Sequence, residues 1–300
     1  MDSVITVIAP EAMTPALLSK TFSCLKSADF HYHAVFRMGR YATMETVLRC
    51  LKAARDLPVT IEANGLLVSS SLCSVLRDAH AKVVFLQDGY PNSTTLFANS
   101  LVLKEMGMDA TFRASLDEER AETLVPWMWL DTLSNAGFTS FEYTCQPTLS
   151  PFLFRSFLSA LFSYWHAEKP VEVKVPQLDA FSTIVQGGRP PRCVYRGVCD
   201  IQYAVDGDGS VYPCPLYAGN AAYRLGNVAE DTKRSLDRKR RESGFINQSL
   251  VHGQACQACP FEKWCHTGCQ AQRSPVTGQL YRCASYKGLF ARYRKTFPAQ

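Results

Sequence analysis

Eight of the twelve cysteines in this 300-residue chain fall after residue 190, as Cys193, Cys199, Cys214, Cys256, Cys259, Cys265, Cys269 and Cys283. A stretch so rich in thiols folds around disulfides or around metal, and the redox compartment decides which. The sequence starts Met1-Asp2-Ser3-Val4, with an acid where a signal peptide carries Lys or Arg, and no small-residue cleavage site follows an apolar core. The longest apolar stretches, such as Leu101-Val102-Leu103 and Phe152-Leu153-Phe154, stop well short of the ~20 residues a membrane span needs. We therefore expect a cytoplasmic protein with no membrane partner, in which reduced thiols act as metal ligands.

The spacing is that of a ligand array. Cys256-x2-Cys259-x5-Cys265-x3-Cys269 forms one run, Cys193-x5-Cys199-x14-Cys214 lies upstream, and Cys283 is the eighth thiol. Short spacings let several thiolates converge with little loop-closure entropy to overcome. A single zinc ion or a cubane cluster takes four ligands, so eight cysteines fill two sites. Zinc also accepts four thiolates, and Cys-x2-Cys alone would favour it.

Upstream of this array the chain alternates short β-branched or aromatic runs with helical patterns. Strands are predicted at Val4 to Ile8, His33 to Arg37, Val59 to Glu62, Val83 to Leu86, Thr111 to Ala114 and Ser140 to Thr144. Helix starts are marked by Thr14-Pro15 and Ser150-Pro151, where a hydroxyl caps and Pro occupies the first turn, and by Thr43 and Asp117. Six strand-helix repeats predict an α/β fold with a parallel sheet, open and doubly wound or curled into a partial barrel. Its working face would lie at the strands' C-terminal ends, which here carry Arg37, Glu62, Asn64, Gln87, Asp88, Arg113, Glu142 and Gln146. Asn64-Gly65 and Asp88-Gly89 read as turns. Arg113 and Glu142 each need a partner or a ligand, and each other is the simplest choice. Cys24, Cys50, Cys73 and Cys145 are scattered and read as small buried apolar residues.

Charge divides the chain in the same place as the cysteines. Residues 191–300 hold 16 Lys and Arg against 8 Asp and Glu, net +8, while residues 1–190 hold 16 against 19, net −3. The sign change supports a boundary near Gly187-Gly188-Arg189, giving domains at 1–188 and 189–300. The basic run Lys233-Arg234-Ser235-Leu236-Asp237-Arg238-Lys239-Arg240-Arg241 lacks interleaved aromatics for base stacking and reads as a solvated helix face, so nucleic acid is not an expected partner.

The cysteine order, together with Asp206-Gly207-Asp208-Gly209-Ser210-Val211-Tyr212-Pro213-Cys214 and Leu225-Gly226-Asn227-Val228, resembles the SPASM domain of radical S-adenosylmethionine peptide and protein maturases, including anaerobic sulfatase-maturating enzymes. The resemblance spans about residues 193 to 285. It implies two auxiliary [4Fe-4S] clusters with interleaved ligands, one on Cys193, Cys199, Cys214 and Cys269, the other on Cys256, Cys259, Cys265 and Cys283. Gly209 then serves a tight turn before Cys214, and Gly268 a close backbone approach to a cluster. His266 reads as a loop histidine facing solvent, with a hydrogen bond to a cluster sulfur as the alternative. In the first half, Ile61-Glu62-Ala63-Asn64-Gly65-Leu66-Leu67 and Phe85-Leu86-Gln87-Asp88-Gly89 resemble segments of the same family's partial (β/α)6 barrel.

Two departures matter more than these likenesses. After its first strand the family places Cys-x3-Cys-x2-Cys, three ligands for the cluster that binds and cleaves the cosubstrate; this chain has Ala9-Pro10-Glu11-Ala12-Met13-Thr14-Pro15 there. At the second strand, where the family has Gly-Gly-Glu-Pro, the sequence is Phe36-Arg37-Met38-Gly39-Arg40. S-adenosylmethionine is accordingly not an expected cofactor, no catalytic residue is nominated, and independent radical activity is not expected. The combination resembles an accessory protein that works beside a true radical maturase on a peptide or protein substrate, binding it, relaying electrons, or both. The alternatives are a redox or radical enzyme using an auxiliary cluster, and a zinc-binding adaptor.

Overall fold

The computed structural model describes residues 2–27, 29–39, 43–64, 68–87, 93–123, 125–146, 148–167 and 173–297. All six expected strands form: β1 (Asp2–Ile8), β2 (His31–Arg37), β3 (Val59–Ala63), β4 (Lys82–Gln87), β5 (Ala110–Leu116) and β6 (Ser140–Cys145). Between them run α1 (Pro15–Leu25), α2 (Met44–Ala53), α3 (Ser70–Asp78), α4 (Ser93–Glu105), α5 (Glu118–Thr123) and α6 (Pro126–Asn135). The capping residues do their expected work. Thr14 accepts from Leu17 N ahead of Pro15, Thr43 accepts from Thr46 N, and Asp117 Oδ1 accepts from Arg120 N at 2.9 Å.

Contacts divide the chain into two units, the first comprising Met1–Phe112, Ala136–Phe138 and Asp200–Phe245. Within it β1, β2, β3 and β4 pair in parallel in that order, with Ile5 opposite Ala34, Phe36 opposite Ile61, and Ile61 opposite Val83. Every residue of β3 is buried, as befits a parallel strand covered on both faces. Phe138 stands edge-on to Phe85, Phe97 and Phe112, with centroids 5.8, 6.1 and 5.3 Å away.

On the other side of β1 the sheet continues with a strand that periodicity does not reveal. β7 (Gln202–Val205) runs parallel to β1, and β8 (Ser210–Tyr212) and β9 (Gly226–Asn227) add antiparallel pairs beyond it. The Asp206–Cys214 motif is therefore rooted in the sheet's own hydrogen-bond ladder. Next comes α9 (Lys233–Glu242).

The second unit comprises Arg113–Asn135, Thr139–Cys199 and Ile246–Gln300. It holds the latter part of β5, β6, α5, α6, α7 (Pro151–Ala167) and α8 (Pro176–Val185). After α10 (Phe245–Ser249), which starts at the edge of the first unit, it holds the short helices α11 (Gln254–Gln257) and α12 (Glu262–Cys265) and the long α13 (Cys283–Thr296). α13 is fastened along its length. Ser285 Oγ donates to Pro151 O at 2.8 Å, Arg292 to Ser159 O at 2.9 Å and Tyr293 Oη to Leu178 O at 2.7 Å. Tyr293 also meets Phe162 edge-on at 4.6 Å, and Phe181 meets Phe290 at 5.4 Å. The fold is thus α/β with a mostly parallel sheet, and no helix among the described residues is long and apolar enough to cross a membrane.

Candidate metal centre

Cys214 belongs to the first unit, at the end of the β7–β8 hairpin. Gly209 closes that hairpin at φ +85°, donating to Asp206 O at 2.8 Å, so the turn expected there is present. Asp208 accepts from Ser210 N at 2.8 Å, and Asn227 Nδ2 donates to Asp208 O at 3.0 Å, which clasps the Leu225–Val228 segment onto the hairpin. Asp231 finishes the clasp by accepting from Asn227 N, Ser235 Oγ and Lys239 Nζ at 3.0, 2.9 and 2.8 Å. The Lys239 ammonium and the Asn227 amide hold its carboxyl down at about 2. A carboxylate depressed below its unfolded value of about 3.9 stabilises the fold above that pH and stops doing so as pH falls through its folded value. Asp231→Asn is therefore expected to lower the urea midpoint at pH 7, with the gap from wild type closing between pH 4 and 2; a gap constant over that range would refute the clasp.

Cys256, Cys259, Cys265 and Cys283 are in the second unit and line one cavity, open to solvent, together with Phe261, Tyr286 and Phe290. Cys256 is on α11, Cys259 follows two residues after it, Cys265 ends α12 and Cys283 begins α13. Burial pushes the Cys265 thiol up to about 12, with Cys283, Cys256 and Cys259 adding to the rise. Burial likewise raises Cys256 and Cys283, with Cys283 and Cys259 as further causes for the former. Gathered thiols that oppose each other's ionisation are stable as thiolates only with cationic charge among them, so metal binding here would release protons. Among the described residues no three or more His, Cys, Asp or Glu side chains are grouped closely enough to hold one metal ion. A four-iron cluster differs in giving each thiolate its own iron. Four thiols lining one cavity match the number of thiolates that such a cluster takes. The donor set fits it.

The second unit also holds Cys193, Cys199 and Cys269. Cys199 is pushed up to about 11 by burial, then by Cys193 and Cys269, while Ser249 and Gln270 act against the rise. Gln270 Nε2 donates to Cys199 Sγ at 3.2 Å, and Ser249 Oγ accepts from Cys199 N at 3.0 Å. All twelve cysteines are free thiols.

Two arginines position the outermost cysteines of this unit, and sequence reading missed both. Arg192, just before Cys193, reaches Glu142 Oε1 at 2.9 Å, and Glu142 Oε2 also takes Arg113 at 2.8 Å. Arg282, just before Cys283, donates to the Gln146 carbonyl and lies over the Phe154 ring at 5.6 Å. The end of β6 thus tethers Cys193 through Glu142 and Cys283 through Gln146. The expected Arg113–Glu142 pair exists, and it is the inner part of a three-residue brace.

Between Cys265 and Cys269 the backbone turns left-handed at three successive residues, His266 (φ 45°), Thr267 (φ 57°) and Gly268 (φ 57°). For the two that are not glycine this costs on the order of 1–2 kcal/mol each. His266 is half-buried, and its carbonyl rather than its ring makes the close contact: a Cβ on Gly197 would fall 1.9 Å from His266 O. Gly268 packs on Leu280, whose Cδ1 would lie 2.9 Å from an added Cβ.

The remaining nominated residues are placed as follows. Arg37 pairs with the buried Glu62 at 2.9 Å. Asn64 Oδ1 and Gln87 Oε1, at the ends of β3 and β4, are buried without a hydrogen-bond partner among the described residues. Arg40, Gly65, Leu66, Leu67, Asp88 and Gly89 lie outside the described residues. Cys50 and Cys73 are fully buried on α2 and α3, while Cys24 and Cys145 are half-buried. The segment after β1 forms a tight turn at Pro10–Ala12, pinned by Arg49 Nη2 to Met13 O at 2.7 Å and by Gly39 N to Glu11 Oε1 at 2.8 Å. On α9, Lys233 pairs with Asp237 and Lys239 with Asp231 at 2.5 and 2.8 Å, while Arg240 turns inward over the Tyr203 ring at 4.0 Å.

No family model matches the chain. A cysteine-type anaerobic sulfatase-maturating enzyme of Clostridium novyi (strain NT) is 30% identical over 149 residues, 48% of this chain and 40% of the relative, so the match spans less than half of that enzyme. Among solved structures, anSMEcpe with bound AdoMet superposes with a TM-score of 0.82 at 20% identity, covering 98% of this chain and 97% of that one. Streptococcus suis SuiB bound to its precursor peptide SuiA gives 0.64 at 12% identity, covering 90% and 72%. At these identities the likeness is one of fold. The expectation that this chain does without S-adenosylmethionine gains no support from it.

Proposed function

We propose that the chain is an iron-sulfur accessory protein in peptide or protein modification. Residues 189–300 act as a SPASM domain binding two [4Fe-4S] clusters, one on Cys193, Cys199, Cys214 and Cys269, the other on Cys256, Cys259, Cys265 and Cys283. Residues 1–188 act as a degenerate partial barrel. The observation that carries this reading is that Cys256, Cys259, Cys265 and Cys283 line one cavity, the four thiolates that a [4Fe-4S] cluster takes. When bound, the clusters supply one-electron transfer. The chain's own residues supply the rest: Glu142 and Gln146 hold the arginines beside Cys193 and Cys283, and Gln270 donates to Cys199.

The accessory role is supported by the turn after β1. Its carbonyls are taken by Arg49 and its Glu11 by Gly39, so the segment is committed to its own closure and offers no thiol. A peptide ligand is supported by the fold shared with SuiB bound to precursor peptide SuiA, and the Asn64 and Gln87 oxygens, without a hydrogen-bond partner among the described residues, offer acceptors for it. The partner would be a radical maturase, its substrate, or both. A second reading, an enzyme that itself acts on S-adenosylmethionine, is favoured by the AdoMet held in the solved anSMEcpe structure.

Anaerobically purified protein is expected to contain about eight irons and eight sulfides, four per cluster. It is expected not to cleave S-adenosylmethionine reductively. Protein carrying only zinc would refute the cluster reading, and reductive turnover would transfer the function to the second one.

A further inference from the structure

One half-buried cation lies near both cysteine groups of the second unit. Arg273 donates from Nε to Thr267 O at 3.0 Å, from Nη1 to Val251 O at 3.0 Å, and from Nη2 to Gly268 O at 2.7 Å and Gly197 O at 3.3 Å. These carbonyls come from three separate stretches, and the Thr267 and Gly268 pair belongs to the left-handed turn between Cys265 and Cys269. All four acceptors are neutral, and among the described residues Arg273 has no carboxylate partner, so its charge is fixed in place without being cancelled. The guanidinium lies within electrostatic range of Cys269 and Cys199 from one proposed ligand set and of Cys256 and Cys265 from the other. Burial weighs against its charge and those thiols favour it.

We propose that Arg273 is a positioning residue shared by the two clusters, a single cation that raises the reduction potential of each and holds the turn presenting Cys265 and Cys269. The inference rests on the two-cluster reading above. A fully thiolate-ligated cluster site is anionic, and reduction adds a further negative charge. A fixed positive charge nearby favours the reduced form, and one within electrostatic range of two such sites moves both in the same direction. Arginine suits the role because its planar fork satisfies several carbonyls at once, which a lysine's point charge does not.

The test compares wild type, Arg273→Gln, Arg273→Lys and the exposed control Arg234→Gln, each reconstituted anaerobically with iron and sulfide and titrated by electron paramagnetic resonance. Arg273→Gln is expected to keep about eight irons while both signals become harder to reduce. At a fixed poise each reduced-to-oxidised ratio should fall about tenfold, a shift of about 59 mV for a one-electron couple. Arg273→Lys should hold both wild-type potentials yet be cleaved faster by protease within residues 266–268, because it keeps the charge and loses the brace. Unmoved potentials in an iron-replete glutamine variant, or movement of one signal alone, would overturn the proposal. Should the glutamine variant fail to hold iron, the lysine variant decides, since lowered potentials there sink the charge argument. Wild-type protein that takes up no iron overturns the two-cluster reading itself.

Discussion

Cys265→Ala is expected to bring the iron content down from about eight to about four per chain and to remove one of the two paramagnetic signals. Cys265 is half-buried between α12 and the left-handed turn, lines the cavity with Cys256, Cys259 and Cys283, and has its thiol pushed up to about 12 by burial. A site built for that thiol loses a ligand, and the rest of the cavity wall, which includes Phe261, Phe290, Tyr286, Glu262 and Lys287, holds no further thiol. Cys193→Ala should remove the other signal, and the double variant both. Cys50→Ala is the control: that thiol is fully buried on α2 in the first unit, and its loss should leave iron unchanged while costing some packing. Eight irons retained by Cys265→Ala would show that this thiol ligates nothing. Loss of all eight would show that the two sites assemble only together.

Features carried by neighbouring residues were the ones legible in sequence. The alternation that marks β1 through β6, the hydroxyl caps at Thr14 and Thr43 and the Gly209 turn are each local, and each is present where expected. β7 was not, because Gln202–Val205 is four residues long and becomes a strand only by pairing with β1 about two hundred residues earlier. The arginine braces were hidden for the same reason. Arg192 finds Glu142 across 50 residues and Arg282 finds Gln146 across 136, and an arginine before a cysteine has no signature of its own. A weaker signal was available: Glu142 was marked as a charge at a buried strand end, and a buried carboxylate has room for more than one guanidinium. Arg273 carried no signal at all, since its role depends on three carbonyl-bearing turns meeting in space.

Glu142→Ala should destabilise the metal-free protein by about 3 kcal/mol, read as a lower urea midpoint. Glu142 is buried, Arg113 beside it is nearly so, and each carboxylate oxygen holds a guanidinium at 2.8 or 2.9 Å. Removing the carboxylate takes from the nearly buried Arg113 its 2.8 Å ion pair in a site with little water, and losing that carboxylate beside a buried charge dominates the cost. Arg192 adds little to it, because half of its side chain is already in solvent. The origin of the loss can be separated by a second substitution. Arg113→Met made together with Glu142→Ala should recover part of the stability, since it removes the charge along with its carboxylate and leaves apolar volume in its place, whereas simple additivity of the two changes would mean that the pair is not coupled. Glu142→Gln should cost less than alanine, keeping one acceptor for Arg113. A change within about 0.5 kcal/mol for Glu142→Ala would place it among ordinary surface substitutions and remove it from the brace. The same variant reports on the cysteines. With Arg192 released, the loop carrying Cys193 loses its tether to β6, so cluster uptake should slow at the set containing Cys193 and stay normal at the set containing Cys283, whose Arg282 is held by the Gln146 backbone and does not depend on Glu142.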